Sequence, residues 1–556
     1  MKPALSRARR SDMPRDEDEI SKLENIDVST FPRLILYVQS HMKSGNAGKE
    51  LYKQLRVLSW EELWGGEVPR FERAGERERF ERVSVIRAVG VVFAESGPAG
   101  KKEEVRQWMR GLLKDPQEKI RRYAMTELPK LGASTEDEAE MLALLRKGAN
   151  ERETKYLGRS LGRIGGKATL DALETLAAKG APDAQTVQKV KAGVARSEAP
   201  SRIVMDRAVA DFAGLRIHLR GREGLEGIVR GEVEEQGRFR VEDVQPGLVV
   251  VTAKAAFTLA DVFALRCFGT VGFVLGFVKS AGEADSNEAL AKVIASPLSQ
   301  RILGALTVGA IRYRLEFIGK GHRRGAVREI ANRAYELCPQ ILNDAREAPW
   351  AVDIHPTPNG DSVELRPRIA PDPRHVWRLD DVAAASHPPL AACMARLAGR
   401  AENENVWDPF CGSGLELIER TLLGGVRRVF GSDLSADAIA IAERNFAAAH
   451  RGPVKARFAC CDFRDFPAVE KLPPRSLTLI ITNPPLGRRV PIRNLRGLFD
   501  DLFAVAAAEL APGGRLVLTN PFHMESPQPS LKLAARQLVD MGGFSCRMEL
   551  YRKAMR

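Results

Sequence analysis

Asp408-Pro409-Phe410-Cys411-Gly412-Ser413-Gly414 follows Val406-Trp407 and runs directly into Leu415-Glu416-Leu417-Ile418-Glu419-Arg420, and this transition decides the fold of the C-terminal part of the chain. A buried strand turns there into a helix, and glycines at the turn let backbone approach a ligand closely at the helix N-terminus. Such a turn suits a small anionic or zwitterionic ligand. Val429-Phe430-Gly431-Ser432-Asp433 reads as a second strand ending in a carboxylate, 25 residues after Asp408. That is near the spacing of about 20 at which dinucleotide folds place an acid on ribose hydroxyls, so Asp433 is the expected ribose ligand. Leu477 to Thr482 is a continuous apolar strand that delivers Asn483-Pro484-Pro485-Leu486-Gly487 to its carboxyl end, with Asn483 lying 75 residues after Asp408. Ligands of open α/β sheets bind at such strand ends. Arg515 to Thr519, after Pro512-Gly513-Gly514, gives a later strand, and the alternation of strands and helices predicts a doubly wound α/β domain over residues 375–556.

The two loops together resemble the S-adenosylmethionine-dependent methyltransferases, and specifically the RNA guanine-N2 methyltransferases that carry an RNA-binding THUMP domain before the catalytic one. Those enzymes share a D-P-F-C-G-S-G cofactor loop followed later by an N-P-P-Y-G or D-P-P-Y-G loop. The likeness is close over the last third of the chain and loose over the middle third. It implies a Rossmann-like fold with S-adenosyl-L-methionine as cofactor, held by Asp408, Phe410, Gly412, Gly414, Asp433 and Leu434. Asp462, after Phe458-Ala459-Cys460-Cys461, corresponds to the acid that meets the adenine amine, with Phe463 against the ring; a strand-end aspartate capping a turn is the less favoured alternative. Asn483, Pro484, Pro485 and Leu486 are implied as the catalytic loop. The chain departs from the pattern twice: Leu415 stands where threonine is usual, and Leu486 where an aromatic residue is usual.

The chemistry fits those residue types. A sulfonium methyl donor is already activated, so the protein must align donor and nucleophile and exclude water. An exocyclic amine has its lone pair delocalised into the base ring. The Asn483 side-chain carbonyl and the Pro484 backbone carbonyl offer two acceptors that turn that lone pair toward the methyl group, and the following proline stiffens the loop. A target base must leave its stack to reach such a pocket. Stacking on an aromatic contributes about 1–3 kcal/mol per base, and Leu486 offers apolar contact only.

At 556 residues the chain exceeds a single hydrophobic core, and about three domains are expected. A formal net charge of +13 and a pI of about 9.4 favour a polyanionic partner. The longest apolar run, Phe268 to Val278, is too short to span a bilayer. The seven cysteines contain no C-x-x-C pair and the eight histidines no H-E-x-x-H, so a reducing cytoplasm and no metal site are expected. The adjacent Cys460 and Cys461 read as packing residues rather than a redox pair.

Residues 1–24 mix arginines with acids and read as a disordered tail. Residues 25–197 read as helices, and Tyr123 to Gly132 aligns with Tyr156 to Gly165 at a shift of 33, resembling short HEAT-type repeats that would bind a protein partner. Residues 205–370 read as α+β: a strand at Leu215 to Leu219, a helix start at Gly224 to Arg230 and a strand at Leu248 to Thr252 resemble the small ferredoxin-like module that precedes the THUMP core. Residues 285–370 would supply that core, with strands near 313–318, 351–354 and 363–366. The fold expected for the whole chain is therefore multidomain, all-α, then α+β, then α/β.

Two basic stretches are candidate RNA contacts: Lys320, His322, Arg323, Arg324 and Arg328 after one strand, and Arg488, Arg489, Arg493 and Arg496 after the Asn-Pro-Pro loop. A solvated loop is an equal reading of the first stretch and the lesser one of the second. Ser386-His387-Pro388-Pro389 opens a further helix, with a cap as the favoured role of His387 over a pocket role. The leading functional expectation is an N-methyltransferase acting on RNA, most of all on guanine N2 of tRNA or rRNA. A protein or DNA amino-methyltransferase with the same loop, and a non-catalytic scaffold built on the helical repeats, are the alternatives.

Overall fold

The computed structural model describes residues 44–177, 190–191, 194 and 199–555, apart from 133, 149, 211–213, 280–281, 320, 322, 383–384, 450–451 and 488–491. The expected tail at residues 1–24 lies outside these. The chain forms two compact units, Met1–Glu198 and Ala199–Arg556.

The first unit is helical. Its successive helices include Ser84–Ser96, Lys102–Leu112, Glu118–Glu127, Thr135–Arg146 and Glu151–Ile164. The two similar stretches occupy equivalent helix ends: the first passes from Glu118–Glu127 into a 3₁₀ turn at Leu128–Leu131, the second closes Glu151–Ile164. Pro129 accounts for the difference, because a proline inside the helix removes a donor and clashes with the preceding turn. The two helices also touch, since Arg121 Nε donates to Glu153 at 2.6 Å and the Arg122 guanidinium lies 5.2 Å from the Tyr156 ring.

The second unit holds two large sheets. The first has eight strands in the order Phe239–Gln245, Leu248–Ala253, Arg216–Arg220, Thr270–Lys279, Gly360–Pro367, Trp350–Thr357, Ile311–Phe317, Ile341–Asn343. The small module and the core expected within residues 205–370 are here two halves of one sheet, joined by antiparallel pairing of Thr270–Lys279 with Gly360–Pro367. The apolar run that is too short for a bilayer supplies this central strand. Its alternate residues Val271, Phe273 and Leu275 are buried, and pairing on both sides satisfies backbone groups that an edge would expose. The helix expected from Gly224 begins at Glu226, and residues 221–225 form a loop instead.

The C-terminal sheet has seven strands: β1 (Glu404–Asp408), β2 (Val426–Asp433), β3 (Lys455–Cys460), β4 (Leu477–Thr482), β5 (Leu510–Asn520), β6 (Leu531–Asp540) and β7 (Ser545–Lys553). Their spatial order is β3-β2-β1-β4-β5-β7-β6. The first five are parallel and β7 is antiparallel to both β5 and β6. Helices α1 (Pro388–Ala398), α2 (Leu415–Leu422), α3 (Ala436–Ala449) and α4 (Leu495–Glu509) belong to the same domain. The strand order reverses between β1 and β4, and ligands of open α/β sheets bind at the carboxyl ends beside such a reversal. The two sheets of this unit share one apolar core. Ion pairs reinforce the seam: Arg266 meets Glu419 through two nitrogens, at 2.7 Å each, and Arg396 meets Glu232 at 3.1 Å.

Candidate active site

Strand β1 ends at Asp408, and the chain then turns through two glycines with positive φ, +49° at Gly412 and +84° at Gly414, before α2. Side chains rarely adopt such angles, which explains the residue type at both positions. The turn is tied to β2: the Gly412 N–H donates to Asp433 Oδ2 at 3.0 Å, and the other Asp433 oxygen accepts from the Ser435 N–H at 3.0 Å. Above this turn lies a cavity of about 1050 Å³, lined among others by Phe410, Gly412, Glu416, Asp433, Leu434, Asp462, Phe463, Asn483, Pro484, Pro485 and Leu486. Segments as distant in sequence as 410 and 486 meet there because β1 and β4 are neighbours.

Two of the expected cofactor residues do not line the cavity. Asp408 is fully buried behind the loop, where Oδ1 accepts the Phe410 N–H at 3.0 Å. Gly414 stands at the N-cap of α2 and packs on Ala442. Burial, with Glu416 and Asp433 of like charge nearby, pushes the Asp408 carboxyl well above the usual range. The Glu416 carboxyl lines the cavity and is raised by burial to about 7. Asp462 lines the cavity too, but both of its oxygens are engaged by Arg464, Oδ1 by the backbone N–H at 2.9 Å and Oδ2 by the guanidinium at 2.8 Å. The same guanidinium lies 4.7 Å from the centre of the Phe463 ring. Phe463 in turn sits 5.0 Å from Phe410, with the ring planes tilted.

The Asn483 amide is held from both sides. Its nitrogen donates to Ser386 Oγ at 2.8 Å, the Ser386 hydroxyl donates to Glu416, and the Thr519 hydroxyl donates to Asn483 Oδ1. An amide oxygen has two lone pairs, so one acceptor site remains after Thr519. The sequence reading missed Ser386, Thr519 and Glu416. Ser386 and Thr519 lie 97 and 36 residues from Asn483, and no local pattern links them.

His387 occupies the N-cap position of α1 but its side chain makes no capping bond; its ring opens onto the cavity. The cap reading holds for the position and not for the side chain: Pro389 has no N–H to give, and the Leu390 N–H donates to the His387 backbone carbonyl at 2.8 Å. Cys460 is exposed rather than packed, and Cys461 lines the cavity. Leu486 is partly buried against the apolar cluster of β4, β5 and α4. Of the basic residues, Arg323 and Arg324 stand at the start of the helix Arg324–Leu337, with Arg323 5.5 Å from the Phe317 ring. Arg493 and Arg496 flank the start of α4, where Arg496 lies 3.6 Å from Asp500. None of the four lines the cavity. Lys320, Arg488 and Arg489 lie outside the described residues.

A nucleoside-cofactor domain of the doubly wound α/β class is what this sheet and cavity define. Residues 375–529 match the family described as RMKL-like, methyltransferase domain, so this part of the chain is a methyltransferase domain with S-adenosylmethionine as its cofactor. The chain is similar to the tRNA (guanine(10)-N2)-dimethyltransferase of Methanothermobacter thermautotrophicus, 30% identical over 140 residues, which are 25% of this chain and 39% of that protein. Among solved structures it is similar to TrmN from Thermus thermophilus, at 20% identity and a TM-score of 0.48 over 61% of this chain and 99% of that one. A protein of Clostridium difficile 630 described as a possible methylase is 15% identical with a TM-score of 0.47, over 61% of this chain and 98% of that one. At those scores neither structure decides a substrate.

The cavity fits the cofactor on its own features: glycine backbone at Gly412, the Asp433 carboxylate beside it, and the buried Glu416 carboxyl, suited to a ligand that carries positive charge.

Proposed function

We propose that the chain is a methyltransferase acting on an exocyclic amine of RNA, with guanine N2 in tRNA as the first candidate. The observation that carries this reading is the fixed Asn483 amide at the carboxyl end of β4, in one cavity with the glycine turn and Asp433. The cofactor supplies an activated methyl group when bound. The protein's part is positioning: Thr519 and Ser386 fix which face of the amide is acceptor, and the free lone pair of Oδ1 with the Pro484 carbonyl receives the amine hydrogens. Pro484 and Pro485 stiffen the loop, and Leu486 gives the base an apolar wall without stacking.

In this reading Asp408 and Gly414 shape the glycine turn, while Phe410, Gly412, Asp433, Leu434, Asp462 and Phe463 meet the cofactor. The relative from Methanothermobacter is named for guanine N2 of tRNA, which supports the choice of target. The central α+β region serves as a THUMP-like RNA-binding part, with Arg323 and Arg324, and with Arg493 and Arg496 beside the catalytic loop, as phosphate contacts. The helical unit serves as a HEAT-like surface for a protein partner, in the cytoplasm.

Labelled-methyl incorporation into bulk RNA and into protein, for wild type, Asn483→Ala and Leu486→Tyr, tests the reading. Incorporation into RNA that is lost with Asn483→Ala and kept with Leu486→Tyr is expected. Incorporation into protein alone would move the substrate to an amide, and none into either by a cofactor-binding wild type would leave a scaffold. Mass spectrometry of tRNA and rRNA nucleosides from a deletion strain then names the base.

A further inference from the structure

We infer that Arg222, Arg378 and His387 form a binding site for a backbone phosphate of the RNA, so that the nucleotide reaching Asn483 is held by its phosphate as well as by its base. The inference rests on the RNA reading above.

All three residues line the cavity that contains Asn483, yet Arg222 comes from outside the methyltransferase domain. It sits in the loop after the strand Arg216–Arg220, and that loop is locked onto the turn between β6 and β7. The Arg222 guanidinium donates to the Asp540 carbonyl at 2.9 Å, and the Asp540 N–H donates to the Glu223 carbonyl at 3.0 Å. Gly224, at φ +94°, packs so closely on β6 that a Cβ there would stand 1.7 Å from the Leu538 carbonyl oxygen. The position of Arg222 is therefore set by backbone, which is how a binding cation is preorganised.

The two guanidiniums are under-used. Among the described residues, Nε of Arg222 and Nε of Arg378 are both buried without a hydrogen-bond partner, and donors of this kind are costly to leave unmade. Among the described residues the Arg222 guanidinium meets a backbone carbonyl alone, whereas Arg378 pairs with Asp381. A phosphate oxyanion is the ligand that a planar guanidinium fork binds through paired hydrogen bonds. His387 lines the same cavity, and burial and the nearby Arg222, Arg374 and Arg378 hold it down at about 4. It is neutral at physiological pH and can donate one hydrogen bond to the same anion. His387 is also the neighbour of Ser386, which holds the Asn483 amide. An anion here is thus next to the group that orients the target amine. Elsewhere the cavity carries acids: Glu416 and Asp433 line it, with Asp462 paired to Arg464, and the first two suit a cationic cofactor. One cavity carries a place for each charge.

A carboxylate on the cofactor could take the same guanidiniums, and the test separates the two anions. The full-length wild type, Arg222→Ala and Arg222→Lys are saturated with S-adenosylhomocysteine and titrated with a fluorescent single-stranded RNA oligonucleotide across a range of KCl concentrations. S-adenosylmethionine affinity is measured in parallel by calorimetry.

We expect Arg222→Ala to bind RNA about tenfold more weakly, with the log–log salt slope smaller by about 0.7, the value for one phosphate contact on a single strand. Arg222→Lys keeps the slope because it keeps the charge, and cofactor affinity stays as in wild type. An unchanged slope in Arg222→Ala, a lysine variant with the alanine slope, or an equal loss of cofactor affinity would overturn the inference. Methylation of RNA by a wild type whose Arg222→Ala variant binds RNA equally well removes this site alone. RNA binding with the expected slopes but no methyl transfer removes the proposed activity alone.

Discussion

Strand β1 carries a buried carboxyl at each end, and the two are handled in opposite ways. Glu404 at its start is fully buried and meets two guanidiniums, Arg420 from α2 and Arg515 from β5. Arg515 donates as well to the Ala398 carbonyl at 2.6 Å. Asp408 at its end is equally buried but is flanked by the acids Glu416 and Asp433, and its carboxyl is pushed well up by burial first and then by Glu416. The difference separates stability from binding within five residues. An end that satisfies its charge internally has nothing left for a ligand, while an end that concentrates unneutralised carboxyls keeps a deficit that a cationic ligand relieves.

The sharpest break of this comparison removes one charge at each end. Glu404→Gln leaves Arg420 and Arg515 buried without a counter-charge and is expected to destabilise the second unit by about 3–5 kcal/mol. Asp408→Asn removes a carboxyl that burial already disfavours and is expected to leave stability equal or raise it. Urea unfolding measures both, and equal losses would show that the two ends do not differ.

A slightly smaller effect belongs to catalysis. Asn483→Ala is expected to slow methyl transfer on the order of 10²- to 10³-fold, the scale set by removing one preorganised hydrogen-bonding group. Single-turnover rates with labelled cofactor, beside calorimetric affinity that stays unchanged, make the check. Thr519→Val should fall between wild type and that variant, since it frees the amide to rotate without removing it.

Cofactor affinity comes next. Asp433→Ala removes a carboxylate from the cavity and the acceptor of the Gly412 N–H, and S-adenosylmethionine should bind at least about tenfold more weakly, or about 1.4 kcal/mol. Calorimetry that found the affinity unchanged would take the cofactor contact away from this residue.

The smallest effect is in protons. Glu416 titrates from an unfolded value of 4.5 to about 7 in the folded chain. Folding therefore binds a proton, and the carboxyl's contribution makes stability fall as pH rises between those two values and level off above the folded one. Glu416→Gln should flatten that window relative to wild type. A bound cation lowers a neighbouring carboxyl's pKa, so cofactor binding near pH 7 should release a fraction of a proton. Calorimetry in buffers of different ionisation enthalpy reads the release, and the same proton count in Glu416→Gln would assign it elsewhere.

How far the site was legible depends on how local its causes are. Phe410 and Gly412 follow a strand by two and four residues, Asp433 ends the next strand, and Asn483 ends a continuous apolar run. Each is fixed by where one strand stops, which composition and periodicity reveal. The Asp408 side chain is legible as a residue but not as a contact, because only packing decides that it turns behind the loop. Asp462 is similar: that both of its oxygens are taken by Arg464 follows from side-chain geometry, not spacing.

The sequence by itself determined the α/β character of the last third, the helical character of the first, the strand ends on which the cofactor loop and the Asn-Pro-Pro loop stand, and the positive charge. These follow from hydrophobic period, turn residues and residue counts, which need no knowledge of distant partners. Only the tertiary structure decided that the two central halves share one sheet, that Ser386 and Thr519 clamp Asn483, and that Arg222 reaches a cavity in another domain. The reason is that those contacts join segments from tens to more than 200 residues apart. What brings them together is burial of a common core and satisfaction of backbone groups at close approach, and neither leaves a period in the chain.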